Sequence, residues 1–202
     1  SSGSARERPV NSLRGSGNRY TQLVAEALQL TQMANRTTAS IEQAEINLRE
    51  AIRLCPERRD AHGVLAQLVV VRDPTEAATH FLRTVELSIG HDELWAKSSV
   101  CVFEHFQGRE AHGMEDPTSR RLPTWWTDEA LKTVAIEAVR LLPSFEWRAL
   151  RMHAIVLSAP IYPWRTWGEA GPRTPDELRL AADSYQGLVK IIGGARKGNF
   201  PA

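Results

Sequence analysis

Residues 42–56 (EQAEINLREAIRLCP) and residues 75–89 (TEAATHFLRTVELSI) superpose with an offset of 33 residues. The offset matches small residues with small ones and large apolar residues with large ones: Ala44 with Ala77, Leu48 with Phe81, Ile52 with Val85 and Leu54 with Leu87. An apolar pattern with this period is typical of stacked helical hairpins. Such repeats usually provide binding surfaces, so the sequence favours a binding protein over a catalyst.

Apolar residues at helical spacing extend this pattern over most of the chain. Two sites combine a cap residue with a following proline, at Asp73-Pro74 and Thr174-Pro175, and each predicts a helix start. The eight predicted helices form four antiparallel hairpins and cover residues 20–34, 40–54 (with a capping box at Ser40 and Gln43), 60–71, 74–87, 92–106, 127–142, 144–158 and 175–192.

Two long irregular stretches interrupt the pattern, at residues 107–126 and 159–173. The first lies between the two helices of the third hairpin, and the second lies at the same place in the fourth. Because equivalent turns of a helical repeat line up along one edge, we expect both stretches to emerge side by side.

Two neighbouring segments, DAHGVLAQL (60–68) and EAATHFLRTVEL (76–87), resemble a tetratricopeptide repeat, with Ala66, Ala77 and Phe81 at its small and aromatic positions. Residues 42–57 resemble the second helix of the preceding repeat, and residues 144–157 resemble the first helix of another. The resemblance implies an all-α fold, a right-handed α-solenoid of about four antiparallel hairpins with two long loops inside hairpins.

In this family the first helices of the hairpins line a concave groove that commonly holds an extended peptide or a partner's helix. The resemblance therefore implies binding residues on those helices, namely Lys97, Arg148 and Arg151. The subclass that clamps the C-terminal carboxylates of chaperones also needs a pair of asparagines. The corresponding positions here do not supply them, so we do not expect that specificity.

Six tryptophans are many for 202 residues, and four of them lie in or beside the two irregular stretches. Trp95 and Trp147 fit core positions of first helices. The other four either fold back over an apolar seam or form an anchor patch for a partner, with arginines nearby. The predicted partner-binding residues at the stretches are Trp125, Trp126, Trp164, Trp167, Arg121 and Arg165.

No motif for catalysis, phosphate binding or a cofactor occurs, so we expect a protein that is not an enzyme and needs no cofactor or metal. Glu104, His105, Glu110, His112, Glu115 and Asp116 form the best candidate for a metal site, but their spacing matches no known ligand set. They are interpreted as solvated charges. His62, His80 and His153 are interpreted as surface or half-buried residues.

The composition is that of an ordinary globular protein, with a net charge of +1 that argues against a dedicated nucleic-acid binder. No run of apolar residues is long enough to span a membrane. Two cysteines in apolar helical patterns predict reduced thiols and an intracellular, reducing compartment, cytoplasmic or organellar. The predicted organisation is a disordered arm at 1–18 (also consistent with the remnant of a transit peptide), a repeat domain at 19–192 and a flexible tail at 193–202.

The leading hypothesis is a non-catalytic scaffold that binds a protein or peptide through its helical groove and its Trp-rich loops. One alternative is a structural subunit of a large assembly, such as an organellar one. A second alternative is an RNA-binding helical repeat. The sequence leaves the identity of the partner and the oligomeric state open.

Overall fold

The computed structural model describes residues 10–34, 36–111, 123–158 and 171–196, and most of them are helical. The helices are α1 (Val10–Gln32), α2 (Thr38–Leu54), α3 (Arg59–Val69), α4 (Pro74–Glu86), α5 (Glu93–Ala111), α6 (Asp128–Leu141), α7 (Trp147–Ser158) and α8 (Pro175–Arg196). Within these described ranges there is no strand, so the predicted all-α class is confirmed.

Short polar residues start several helices where the sequence predicted it, because they satisfy backbone N–H groups that lack partners in the first turn. Asp73 accepts a hydrogen bond from the Glu76 backbone over 2.9 Å, and Pro74 follows at the first helical position. Thr174 and Glu177 form a reciprocal pair, with each side chain accepting from the other's backbone N–H over 3.1 and 2.8 Å. These two predicted helix starts are confirmed.

Several helix boundaries differ from the prediction: α3 ends at Val69, α5 continues to Ala111 into the first predicted irregular stretch, and α7 begins at Trp147. The capping box of α2 joins Thr37 and Ser40, not Ser40 and Gln43, and so starts the helix at Thr38. Helix α1 begins at Val10, so residues 10–18 are helical and residues 1–9 lie outside the described part. Helix α8 continues through Gly193 to Arg196, because glycine weakens an established helix without ending it. Residues 197–202 of the predicted tail are not described.

The chain divides into two compact units, Ser1–Leu87 and Ser88–Ala202. In the first unit α1 packs on α2 and α3 packs on α4, while α3 also contacts both α1 and α2. The core of this unit consists of residues that are at most 3% exposed, among them Tyr20, Leu23, Ala27, Ala44, Leu48, Ala51, Ala61, Leu65, Ala66, Ala77 and Phe81. The 33-residue register therefore matches the buried faces of α2 and α4.

Tyr20 connects the first hairpin to the start of α3. Its hydroxyl accepts from the backbone N–H of Ala61 over 2.9 Å and donates to the carbonyl of Arg58 over 3.3 Å. The Arg58 guanidinium carbon lies 4.0 Å from the centroid of the Tyr20 ring. Because Arg58 makes no side-chain cap to its own helix, the tyrosine of α1 supplies the cap of α3 from 41 residues away.

In the second unit α5 packs on α6 and α7 packs on α8, while α7 also contacts both α5 and α6. The core residues are again fully or almost fully buried, including Trp95, Ala96, Val100, Phe103, Leu131, Ala135, Ala138, Met152, Ala154, Leu157 and Ala181. The predicted core position of Trp95 is therefore confirmed.

Arg173 is the main polar connection of the second unit. Its guanidinium makes two hydrogen bonds to Asp128, at 2.6 and 2.9 Å, two to the Val156 carbonyl and one to the Gly171 carbonyl. Those bonds join the starts of α6 and α8 to α7. The side chains of Arg173 and Asp128 are only 4% and 13% exposed. The guanidinium also lowers the pKa of the Asp128 carboxyl below its ordinary value.

The same contact brings the described ends of the two irregular stretches together. Asp128 follows the end of the first stretch, and its carboxylate also accepts from the backbone N–H of Gly171, at the end of the second, over 3.0 Å. The prediction that the two stretches emerge side by side is therefore confirmed for these ends. Residues 112–122 and 159–170 lie outside the described part of the chain.

We predict that Arg173→Ala lowers the free energy of unfolding by about 3–5 kcal/mol, because it leaves the Asp128 carboxylate and two carbonyls without their buried donors. Arg173→Lys recovers only part of this, since one ammonium cannot reproduce five donors. The measurement is equilibrium unfolding in urea. Arg179→Ala, at an exposed pair with Asp176, is the matched control and costs less than about 0.5 kcal/mol. Equal losses in Arg173→Ala and the control would contradict the prediction.

Candidate protein-binding surface

Helices α5 and α7 pack side by side, and the predicted groove residues lie on them. Glu104 of α5 connects the two helices, because Arg148 Nε lies 3.3 Å from its Oε2 and Arg151 Nη1 donates to its Oε1 over 3.2 Å. Lys97 lies two turns before Glu104 on the same face of α5. Sequence reasoning missed the role of Glu104. Glu104 lies seven residues after Lys97, and this spacing of two helical turns could have shown that both residues share one face of α5.

Trp147 begins α7 and is 41% exposed, so the prediction that it is a core residue is wrong. The buried face of α7 carries Ala149, Met152 and Val156, which turns Trp147 away from the core. Arg151, four residues on, lies on the same face as Trp147, and the Arg148 guanidinium carbon lies 4.8 Å from the indole centroid. We refer to Lys97, Glu104, Trp147, Arg148 and Arg151 as the α5/α7 patch.

The arginines of the α5/α7 patch retain hydrogen-bonding capacity. The side chains of Arg148 and Arg151 are 44% and 39% exposed, and each guanidinium has five N–H donors. Within the described residues, their contacts with Glu104 and with Glu146 (3.7 Å from Arg148 Nη1) occupy only some of these donors. The patch therefore offers donors to a carboxylate or carbonyl next to an exposed aromatic ring.

Cys101 lies between Lys97 and Glu104 on the same face of α5. Burial raises the pKa of its thiol to about 11, with the nearby charge of Arg148 acting in the opposite direction. The thiol is therefore protonated at neutral pH and is not a nucleophile. Cys55 and Cys101 are both half-buried, free cysteines.

The two tryptophans at the end of the first irregular stretch differ in their surroundings. Trp126 is 6% exposed and contacts two aromatic rings of α5, at centroid distances of 5.8 Å to Phe103 and 5.4 Å to Phe106. Its burial removes it from the predicted docking surface and fits the alternative in which the loop tryptophans fold back. Trp125 is half-buried, and its Nε1 is buried without an acceptor among the described residues.

The other predicted residues of the irregular stretches, Arg121, Trp164, Arg165 and Trp167, lie outside the described residues. The structure therefore brings together Lys97, Arg148 and Arg151, adds Glu104 and Trp147 to them, and places Trp126 in the core.

A second cluster of polar groups lies in the first unit, where His62 of α3 meets His80 of α4. Their Nδ1 atoms are 2.9 Å apart, and His62 Nε2 lies 3.2 Å from the Pro56 carbonyl oxygen. A carbonyl only accepts, so His62 carries its proton on Nε2, and its bare Nδ1 accepts from His80 Nδ1–H. The pair lines an open cleft with Pro56, Thr79, Leu82, Arg83 and Glu86.

This arrangement gives the histidine pair one place for an extra proton. His80 Nε2 lies 3.7 Å from Glu76 Oε1, so protonation there keeps both existing hydrogen bonds and adds an ion pair. A second proton would have to enter the Nδ1–Nδ1 contact and break it. Burial lowers the pKa of both histidines. For His80 the neighbouring His62 lowers the pKa further, while Glu76 acts in the opposite direction.

The other candidates for catalysis or metal binding make structural contacts or lie outside the described residues. His153 Nδ1 lies 2.8 Å from Ser184 Oγ, and both residues are about 5% exposed, so the contact holds α7 to α8 and no substrate reaches it. Among the described residues no three histidines, cysteines or carboxylates lie close enough to hold a metal ion. Of the predicted metal candidates, Glu104 forms ion pairs, and His112, Glu115 and Asp116 lie outside the described ranges.

None of the helices in the described part of the chain has the length and apolar character needed to cross a membrane. Comparison with protein-family models, with curated proteins and with solved structures finds no match. The resemblance to the tetratricopeptide repeat therefore stays a prediction.

We predict that the stability of the first unit falls as the pH decreases below 6.5, the ordinary pKa of histidine. Because the folded chain holds the pKa of His62 and His80 below that of the unfolded chain, the unfolded chain binds protons more readily. The contribution of the histidine pair to the free energy of unfolding is fully present above pH 6.5, and it is lost as the pH falls toward the folded-state pKa values. Urea unfolding of wild type and of the double variant His62→Gln/His80→Gln at several pH values measures this pH dependence. A variant with an undiminished pH dependence would rule the pair out as its source.

Proposed function

We propose that this chain is a non-catalytic helical-repeat protein, similar to tetratricopeptide-repeat proteins, that binds a partner protein or peptide through the α5/α7 patch. The observation that carries the proposal is the side-by-side packing of α5 and α7. It brings Glu104 and Lys97 of α5 to the same partly exposed surface as Trp147, Arg148 and Arg151 of α7. Tryptophan and arginine are the residues that most often dominate binding energy at protein interfaces.

The packing order within each unit supports the repeat. In the first unit α1 pairs with α2 and also contacts α3. In the second unit α5 pairs with α6 and also contacts α7. Consecutive hairpins of a helical repeat have this connectivity, in which each first helix packs on the next first helix. Together with the 33-residue register, this connectivity favours two successive helical hairpins within each unit, with α5 and α7 as the first helices of the second unit.

The chemistry of the patch favours a partner segment that carries a carboxylate next to an apolar or aromatic side chain. The guanidinium groups of Arg148 and Arg151 match a carboxylate in shape and charge, and the Trp147 ring offers a flat apolar contact. Glu93, Glu104 and Glu146 stand among the basic residues. These acids would repel a phosphate backbone, which disfavours the alternative of RNA binding.

We predict that Trp147→Ala/Arg148→Glu/Arg151→Glu abolishes capture of the specific partner. Loss of a tryptophan or arginine hot spot costs about 2 kcal/mol, so each substitution alone weakens binding by roughly thirtyfold. The tagged full chain is expressed in the cells from which it comes, and the co-purifying proteins are quantified by mass spectrometry. A stable complex of fixed stoichiometry would favour the alternative of an assembly subunit that uses the same surface.

The matched control is Arg53→Glu/Arg179→Glu, which reverses two arginines that are 69% and 74% exposed and lie in local ion pairs on α2 and α8. Circular dichroism establishes that both variants retain their helices. The proposal predicts that proteins captured by wild type and control are lost from the patch variant. Retention of the same proteins by the folded patch variant would contradict it.

A further inference from the structure

Helix α8 has two apolar faces, and one of them is buried against α7. Ala181 and Ser184 are buried in the contact with α7, and Gly187 lets the helices approach, since a Cβ there would lie 3.3 Å from Leu150 Cδ1. On the adjoining face four large apolar residues are 42–69% exposed: Leu178, Tyr185, Val189 and Ile192. Ala182 is also exposed on this face. We refer to these five residues as the α8 stripe.

The spacing of the α8 stripe indicates which kind of partner it fits. Successive members are four, three, four and three residues apart, which is the heptad seam of two helices packed knobs into holes. A face that packs on a loop or a sheet has no need for this 3.5-residue period. The stripe extends over two heptads, from Leu178 to Ile192, so it fits a helix of similar length.

The stripe is complementary to itself when two copies of α8 run antiparallel. A two-fold axis at Tyr185 places tyrosine next to tyrosine, Leu178 level with the Ile192 position and Ala182 within one residue of the Val189 position. Each of the last two pairs combines residues of different shape or size, as interdigitating layers require. Such an arrangement is the isologous contact of a symmetric dimer, in which the same surface serves both partners.

The charges of α8 also favour antiparallel pairing. The half of the helix before Gly187 contains Asp176, Glu177 and Asp183 against one base, Arg179. Arg179 pairs with Asp176, and Lys132 of α6 pairs with Glu177 over 2.9 Å, so Asp183 carries the net acidic charge of this half. From Gly187 to the end of the helix the only charged residues are basic, Lys190 and Arg196. Two antiparallel copies bring each acidic half beside the other's basic half, and parallel copies would bring like charges together.

Gly193 provides an independent observation at the same face. A Cβ added to Gly193 would meet nothing within 4 Å, in contrast to Gly187, so packing within the chain does not require glycine there. In the antiparallel pair this position lies within one residue of the level of Leu178 of the other copy, where a bare backbone permits a close approach of the two helices.

We propose that the α8 stripe binds a second copy of this chain, forming a homodimer through antiparallel α8 helices with a two-fold axis near Tyr185. The exposed apolar residues are thereby removed from water, and the two oppositely charged halves of the helix are neutralised. The α5/α7 patch takes no part in this contact, so the dimer does not depend on the proposed partner binding.

The first test is the mass of the full chain by analytical ultracentrifugation, from nanomolar to high-micromolar concentration. Wild type is expected at twice 22.6 kDa. Val189→Glu is expected to raise the dissociation constant at least about hundredfold, because it places an unpaired carboxylate in the seam. Ile136→Glu, at an apolar residue of α6 that is 44% exposed against 69% for Val189, is the control and remains dimeric. A wild-type chain that is monomeric throughout, or a Val189→Glu chain that stays dimeric, overturns the proposal.

The second test determines orientation by disulfide cross-linking, in a background of Cys55→Ser and Cys101→Ala. Leu178→Cys and Ile192→Cys lie 14 residues, or about 21 Å, apart along the helix. In the antiparallel pair neither variant cross-links to itself, while a mixture of the two forms a dimer on oxidation. Parallel helices would give the opposite result, with each variant linking to itself and none in mixed pairs. That result, or cross-links to another protein in place of a second copy, would contradict the antiparallel homodimer.

Discussion

Close approach of helices through alanine is the constraint on which the structure depends. Each of the eight described helices carries at least one alanine that is 2% exposed or less, among them Ala27, Ala44, Ala61, Ala77, Ala96, Ala135, Ala149 and Ala181. The side chains at a helix contact set the distance between the axes, so a methyl group lets backbones approach while larger neighbours fill the remaining space. The 33-residue register is one expression of this constraint, because it repeats the alanine of α2 in α4.

Close packing also determines which polar side chains hold helices together. Tyr20 completes the first turn of α3, and Arg173 holds the starts of α6 and α8 to the end of α7. Both residues bring their donors or acceptors from a distant part of the sequence to backbone groups that would otherwise be buried without partners. The arginine is the more demanding case, because a buried charge is tolerated only when nearly every hydrogen-bonding group around it is matched.

The two surfaces proposed for binding differ in the kind of side chain that they leave exposed. The α5/α7 patch keeps exposed charges of both signs around one indole ring, a combination suited to recognising a particular partner segment. The α8 stripe is almost purely apolar, with charges only at its flanks, so the free energy available there comes from removing area from water. His62 and His80 form a third feature of the molecule. They share a hydrogen bond and one place for an extra proton, and the folded chain favours their neutral form.

The helices and several of their starts follow from the sequence alone, because periodicity and caps such as Asp73-Pro74 and Thr174 act within one or two turns. The resemblance to a tetratricopeptide repeat likewise predicts Lys97, Arg148 and Arg151 as binding residues on first helices. Only the tertiary structure decided that Trp126 is buried against α5, that Trp147 faces outward and that Arg173 serves Asp128. Those outcomes depend on the rotation of one helix against another and on contacts 17 to 45 residues apart, and no local pattern of residues specifies them.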